Sequence, residues 1–93
     1  MVKSYYVYIL TNERVTLYIG VTSNLPARIQ QHKAGALGSF TERYHIWKLV
    51  YAENCESAFA AIEREKQLKR WSRSKKLSLI TRTNPDLAEI PSD

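Results

Sequence analysis

Two runs of β-branched and aromatic residues, YYVYILT at 5–11 and VTLYIGVT at 15–22, stand either side of only three polar residues, Asn12, Glu13 and Arg14. Strand-forming runs this close in sequence predict an antiparallel β-hairpin. Alternation along each run then sorts the side chains. Tyr5, Val7 and Ile9 share one face, and Tyr6, Tyr8 and Leu10 share the other. In the second run Leu17, Ile19 and Val21 oppose Tyr18, Gly20 and Thr22. A three-residue turn at 12–14 pairs positions whose numbers sum to 26, setting Tyr8 across from Tyr18 and Tyr6 across from Gly20. Two phenols then share a sheet face, beside a gap where a glycine places no side chain.

The remaining chain alternates helix and strand signals. Ser23 or Asn24 is expected to cap a helix with Pro26 in its first turn, where a missing N–H costs nothing. That helix runs to Lys33, and Gly35 and Gly38 end it. A loop carrying Phe40, Tyr44 and His45 leads to a third strand, IWKLVYAE, at 46–53. A long helix is expected from Glu56 to Trp71, broken by Ser72 and Ser74. A shorter one follows from Lys75 to Thr83 and stops at Asn84-Pro85. The order is ββαβαα. It implies an α+β fold with a small three-stranded antiparallel sheet flanked by helices. Residues 1–87 form the single domain, and 88–93 are expected to be a flexible tail.

At 93 residues the chain buries only about 60–65% of its extended surface, so its core is thin. Ten aromatics are many for such a core, and some are expected to face a site. No apolar run approaches the ~20 residues of a membrane span. Lys3 precedes a short strand-like segment and not a cleavable hydrophobic stretch. The single Cys55 excludes an internal disulfide and a cysteine-based zinc cluster. These features together fit a reducing cytoplasm, away from membranes. The net charge of +5 is unevenly spread: eight lysines and arginines lie between Arg64 and Arg82, with Glu65 the one acid among them. Such clustering is the footprint of a polyanion partner, or simply a solvated helical face.

Arg28 and His32 are four apart on the first helix and so share a face, bordering the sheet-facing stripe of Leu25 and Ile29. Glu65 is more telling. On a helical wheel it falls among Ala58, Ala61, Ile62 and Leu68, a carboxylate in an apolar stripe. Buried charge is costly unless paired or bound to metal, so Glu65 is either an arginine's ion-pair partner or a metal ligand in a cleft. Two-metal catalysis needs several clustered carboxylates, and one inward acid does not supply them. Phosphate-binding glycine loops and nucleophile elbows are absent.

Tyr6-Val7-Tyr8, Tyr18-Ile19-Gly20, Arg28 on the next helix and Glu65 on a later one resemble the GIY-YIG nuclease superfamily. The second tripeptide matches literally. In the first, Tyr6-Val7 stands where Gly-Ile would, and Tyr8 is kept. VYILTN, LYIGVTSNL, LVYAE and REKQLKRWSRSKK look most like the small stand-alone bacterial members. The resemblance covers residues 5 to 87. It implies metal-dependent endonucleolytic hydrolysis of phosphodiesters, with Mg²⁺ as the expected cofactor and Mn²⁺ as the alternative. The implied partner is nucleic acid, with DNA expected. Carried over by position, Tyr8 and Tyr18 become the paired tyrosines, Arg28 the phosphate clamp and Glu65 the metal ligand. His32 stands where some members carry a histidine. In that scheme cations lower the pKa of Tyr8, the favoured general base, and Tyr18 orients the water.

Two other readings compete. A non-catalytic nucleic-acid-binding module would use Lys69, Arg70, Arg73, Lys75 and Lys76, with Trp71 either a stacking platform or, more in keeping with its position, core. An interaction domain would use the basic face for solubility alone.

Overall fold

A computed structural model describes residues 4–35 and 42–92. Three strands, β1 (Tyr5–Thr11), β2 (Tyr18–Thr22) and β3 (Lys48–Cys55), and three helices, α1 (Leu25–Lys33), α2 (Ala58–Arg70) and α3 (Arg73–Thr81), follow one another in the order ββαβαα. All sheet pairings are antiparallel, and β1 lies between β2 and β3. Gly38 and Phe40 lie outside the described residues.

The central strand is buried on both faces, and Val7, Tyr8, Ile9 and Leu10 have no exposed surface. Its odd-numbered face, Val7 and Ile9, packs with Ile19, Val50 and residues of α2 and α3: Ala61, Leu68, Leu79 and Ile80. Its even-numbered face, Tyr8 and Leu10, packs with Leu25 and Ile29 of α1, and with Ile46 and Leu49. The sheet is therefore a middle layer between α1 and the α2–α3 pair. Ile90 closes the second core, its N–H donating to the Leu49 carbonyl at 2.9 Å.

The register differs from the expected one. Tyr8 lies across from Gly20, and Tyr18 across from Leu10. The cause is Asn12. Its side-chain oxygen accepts from the backbone N–H of Arg14 (3.0 Å) and of Thr16 (2.9 Å), and its carbonyl accepts from Val15 N (3.0 Å). Val15 takes a left-handed φ of 57°. Side-chain-to-backbone bonds of this kind offer the chain an alternative to the ladder, and here they keep residues 15–17 out of β2. A two-residue slip leaves the faces unchanged, because side chains alternate with a period of two. Tyr8, Tyr18 and Gly20 still share one side.

Other boundaries move by about two residues. Asn24, not Ser23, caps α1, its side chain accepting from Ala27 N at 3.2 Å. Ser57 and Ser72 cap α2 and α3, so Ser72 starts the last helix and Ser74 lies inside it. β3 starts at Lys48 and not at residue 46.

The buried stripe of α2 is rotated from the expected one. Ala61 and Leu68 are buried, Arg64 and Glu65 half-buried, and Ala58 and Ile62 exposed. Arg64 turns the helix because it has a partner. Its Nε donates to Glu53 Oε1 (2.9 Å), its Nη2 to Glu53 Oε2 (3.1 Å), and Tyr51 donates to the same Oε2 (2.5 Å). Burial pushes the Glu53 carboxyl up, but the hydrogen bonds from Arg64 and Tyr51 and the Arg64 charge win, and its pKa is lowered overall. Burial and the Glu53 bond push the Tyr51 phenol up to about 12. Trp71 is half-buried against this core, with the Arg64 guanidinium 5.2 Å and the Lys75 ammonium 4.2 Å from its ring centroid. No helix of the described residues is long and apolar enough to cross a membrane.

Candidate active site

Tyr8 and Tyr18 come from antiparallel neighbours, and their ring centroids lie 6.4 Å apart. Gly20 is what permits this. A Cβ on Gly20 would overlap the hydroxyl and ring carbons of Tyr8. The gap beside the phenols, expected from the sequence where the glycine places no side chain, is filled by Tyr8 itself. The glycine lets the Tyr8 ring lie across the edge strand.

The α1 helix supplies the next two groups. Leu25 and Ile29 anchor it in the core, which brings His32, one turn past Arg28, onto the tyrosines. Tyr8 Oη and His32 Nε2 are 2.9 Å apart, and the imidazole stands edge-on to Tyr18 with 5.3 Å between centroids. His32 is 4% exposed. Its Nδ1 is buried with no hydrogen-bond partner among the described residues. Burial, and then the nearby Arg28 charge, lower its pKa, so the ring is held neutral near pH 7.

Tyr8 behaves differently from the expectation. Burial and the neighbouring Tyr18 push its pKa up. Arg28 pulls the other way, through its charge and a side-chain hydrogen bond, and Glu65 adds to the rise. Desolvation outweighs the one cation. The same balance of causes records that Arg28 and Glu65 both lie within electrostatic reach of the phenol. Tyr8 has no exposed surface, whereas Tyr18 is half-exposed and lines a depression of about 280 Å³ with Leu17, Ile19, Lys69 and Lys76.

Glu65 arrives from the opposite layer on α2, which packs against β1 and β2. Its side chain is 21% exposed and sits 3.5 Å from Lys69 Nζ, one turn on. That is a loose pair, with a lysine 56% exposed, and not the buried arginine pair offered as the alternative from the sequence. The arginine pair exists, but at Glu53. Among the described residues no three histidine, cysteine or acidic side chains could together hold a metal ion. One carboxylate suits Mg²⁺, which keeps several waters and takes its remaining ligands from substrate phosphates.

The basic segment divides. Lys69 and Lys76 line the depression beside Tyr18, and Arg73 and Lys76 line its continuation. Lys75 stands over Trp71, and Arg70 is exposed on α2. The continuation also contains Arg14, which the sequence reading assigned only to a turn. Nothing local marks Arg14, since it meets α3 only through the tertiary fold.

Residues 4–78 match the GIY-YIG catalytic domain family. Among similar proteins, a UPF0213 protein of Syntrophus aciditrophicus is 42% identical over 82 residues, covering 87% of this chain and 93% of that one. A UPF0213 protein of Staphylococcus haemolyticus is 40% identical over 76 residues, covering 82% of this chain and 93% of that one. The solution NMR structure of the UPF0213 protein BH0048 from Bacillus halodurans superposes with a TM-score of 0.58 at 29% identity, covering 89% of this chain and 88% of that one.

Proposed function

The chain belongs to the GIY-YIG family, and on that premise we propose that it is a metal-dependent endonuclease hydrolysing nucleic-acid phosphodiesters at the Tyr8, Tyr18, Arg28, His32 and Glu65 cluster. The observation that carries this reading is the meeting of Tyr8, Tyr18 and His32 across β1, β2 and α1, with the charges of Arg28 and Glu65 felt at the Tyr8 phenol. A packed core needs no such meeting of phenols, imidazole, guanidinium and a loosely paired carboxylate. Buried polar groups are costly, and a thin core keeps few of them without a use.

Phosphodiester hydrolysis needs a positioned water, charge compensation for the five-coordinate phosphorus and stabilisation of the leaving oxygen. Arg28 offers a planar fork that matches phosphate oxygens bidentately. Glu65 would hold a divalent ion, Mg²⁺ or Mn²⁺. When bound, that ion supplies Lewis-acid compensation of phosphate and leaving-group charge. Tyr18 is the phenol with surface to offer, so it is assigned the contact with the attacking water. Tyr8 sits behind it, joined to His32 at 2.9 Å, and holds the imidazole and Arg28 in place. His32, kept neutral by burial, pairs through Nε2 with the Tyr8 hydroxyl and fixes the phenol behind Tyr18.

The test is incubation of the purified protein with labelled duplex, branched and single-stranded DNA and with RNA, each with Mg²⁺, Mn²⁺ or EDTA. Cleavage of at least one form that stops in EDTA supports the proposal. Binding without cleavage in every metal would instead favour a nucleic-acid-binding module.

A further inference from the structure

Two depressions meet along the outer edge of the sheet. The first lies beside Tyr18 and is flanked by Lys69 and Lys76; the second, about 340 Å³, contains Arg14 and Arg73. They share Leu17 and Lys76, so they form one trough running from the Tyr18 phenol to the hairpin turn. It follows residues 15–19, from the hairpin turn into the start of β2. Four cations flank it, and no acid lines it. Among the described residues, the carboxylate paired to any of the four is Glu65, at the Tyr18 end. Among the described residues, the edge strand β2 has no further strand beyond it.

We propose that this trough seats the sugar–phosphate backbone of one DNA strand, on one side of the scissile bond. Lys69, Lys76, Arg73 and Arg14 would contact successive stretches of it. The four cations match a linear polyanion, because they are spread over two adjoining depressions that begin beside Tyr18 and are not gathered in one of them. Between them lie the aliphatic side chains of Leu17 and Ile19, which suit deoxyribose carbons, with the Thr16 and Tyr18 hydroxyls beside them. Cations of the same segment outside the trough, Lys66 and Arg82, have no part in this seat. The proposal takes its ligand class and the place of the scissile bond from the nuclease reading, and is tested without cleavage.

The experiment measures fluorescence anisotropy of a labelled single-stranded DNA 20-mer, and of RNA of the same sequence, in EDTA across a salt series. Each lost phosphate contact removes about 0.7 from the slope of log K against log[salt], which is about 5-fold in affinity at 0.1 M salt. Arg14→Ala with Lys76→Ala should therefore weaken DNA binding about 25-fold and flatten the slope by about 1.4. Lys66→Ala with Arg82→Ala should cost no more than about 2-fold, as long-range attraction alone is screened. If Lys76→Ala does not fold, Arg14→Ala with Arg73→Ala tests the far end of the trough. Equal losses from the trough pair and the control pair would overturn the proposal, as would losses confined to RNA. A protein that binds this way yet cuts nothing would keep the trough and sink the nuclease reading. One that cuts DNA with the trough pair neutral would do the reverse.

Discussion

Glu53 on β3 and Glu65 on α2 are both half-buried, and their surroundings differ completely. Both Glu53 oxygens are taken, by two guanidinium N–H groups and a phenol, and the arginine is itself stacked on Trp71. Among the described residues Glu65 has one loose contact, with an exposed lysine, and its charge adds to the rise of the Tyr8 pKa. A saturated carboxylate locks two elements together and has nothing left for a ligand. An open one costs stability and is available for a cation. On the proposed function, the two sites divide the labour between holding β3 to α2 and serving the reaction. The same contrast separates Lys75, placed on Trp71, from Lys76, which faces the trough.

The largest effect should come from the open region. Arg28→Lys keeps the charge but loses the planar fork, and should cut cleavage about 100-fold or more while leaving the melting temperature near that of the parent. A variant that melts early would instead make Arg28 a structural residue like Arg64.

Gly20→Ala should be next. The new methyl overlaps the Tyr8 ring, and overpacking of this kind costs about 1–3 kcal/mol. Tyr8→Leu in the Gly20→Ala background should recover part of that loss, a coupling that a double-mutant cycle reads directly. Additive losses would mean that Tyr8 does not lie over Gly20.

In the saturated region, Glu53→Gln should cost about 1–2 kcal/mol in denaturant unfolding, since it weakens charged hydrogen bonds in a pair that is partly solvated. Cleavage should be untouched. The pH dependence has the same sign, because the Glu53 pKa is lowered: its contribution is complete above the unfolded carboxylate range and fades as the pH falls through the folded value.

The smallest effect is at His32. Its folded pKa lies below the ordinary 6.5, so the unfolded chain binds the proton first, and stability falls as the pH drops below about 6.5. His32→Gln should flatten that slope. An NMR titration placing the His32 midpoint above 6.5 would contradict the buried, neutral imidazole.

The sequence carried the element order, the sharing of faces by Tyr8, Tyr18 and Gly20, and the i to i+4 placing of Arg28 and His32, because all three follow from local periodicity. The register was not legible, since it rests on Asn12 using its side chain on the backbone of residues 14 and 16. Nor was the rotation of α2. A wheel places apolar residues inside, but Arg64 found a carboxylate on β3 and drew its own face inward. Gly20 marked a gap in the sheet face, but not that a phenol from the neighbouring strand fills it. In each case the deciding partner lay on another element or acted through a side-chain bond that residue type alone does not reveal.

The contrast between the two carboxylates is tested most directly by Glu65→Gln, with thermal melting and metal-dependent cleavage measured on the same preparation. The open-site account predicts a melting temperature unchanged or raised, because an imperfectly paired, half-buried charge is removed. It also predicts cleavage reduced by about 1,000-fold or more, for loss of the metal's carboxylate. A variant that unfolds would make Glu65 a structural partner like Glu53, and one that cleaves as the parent does would remove it from the site.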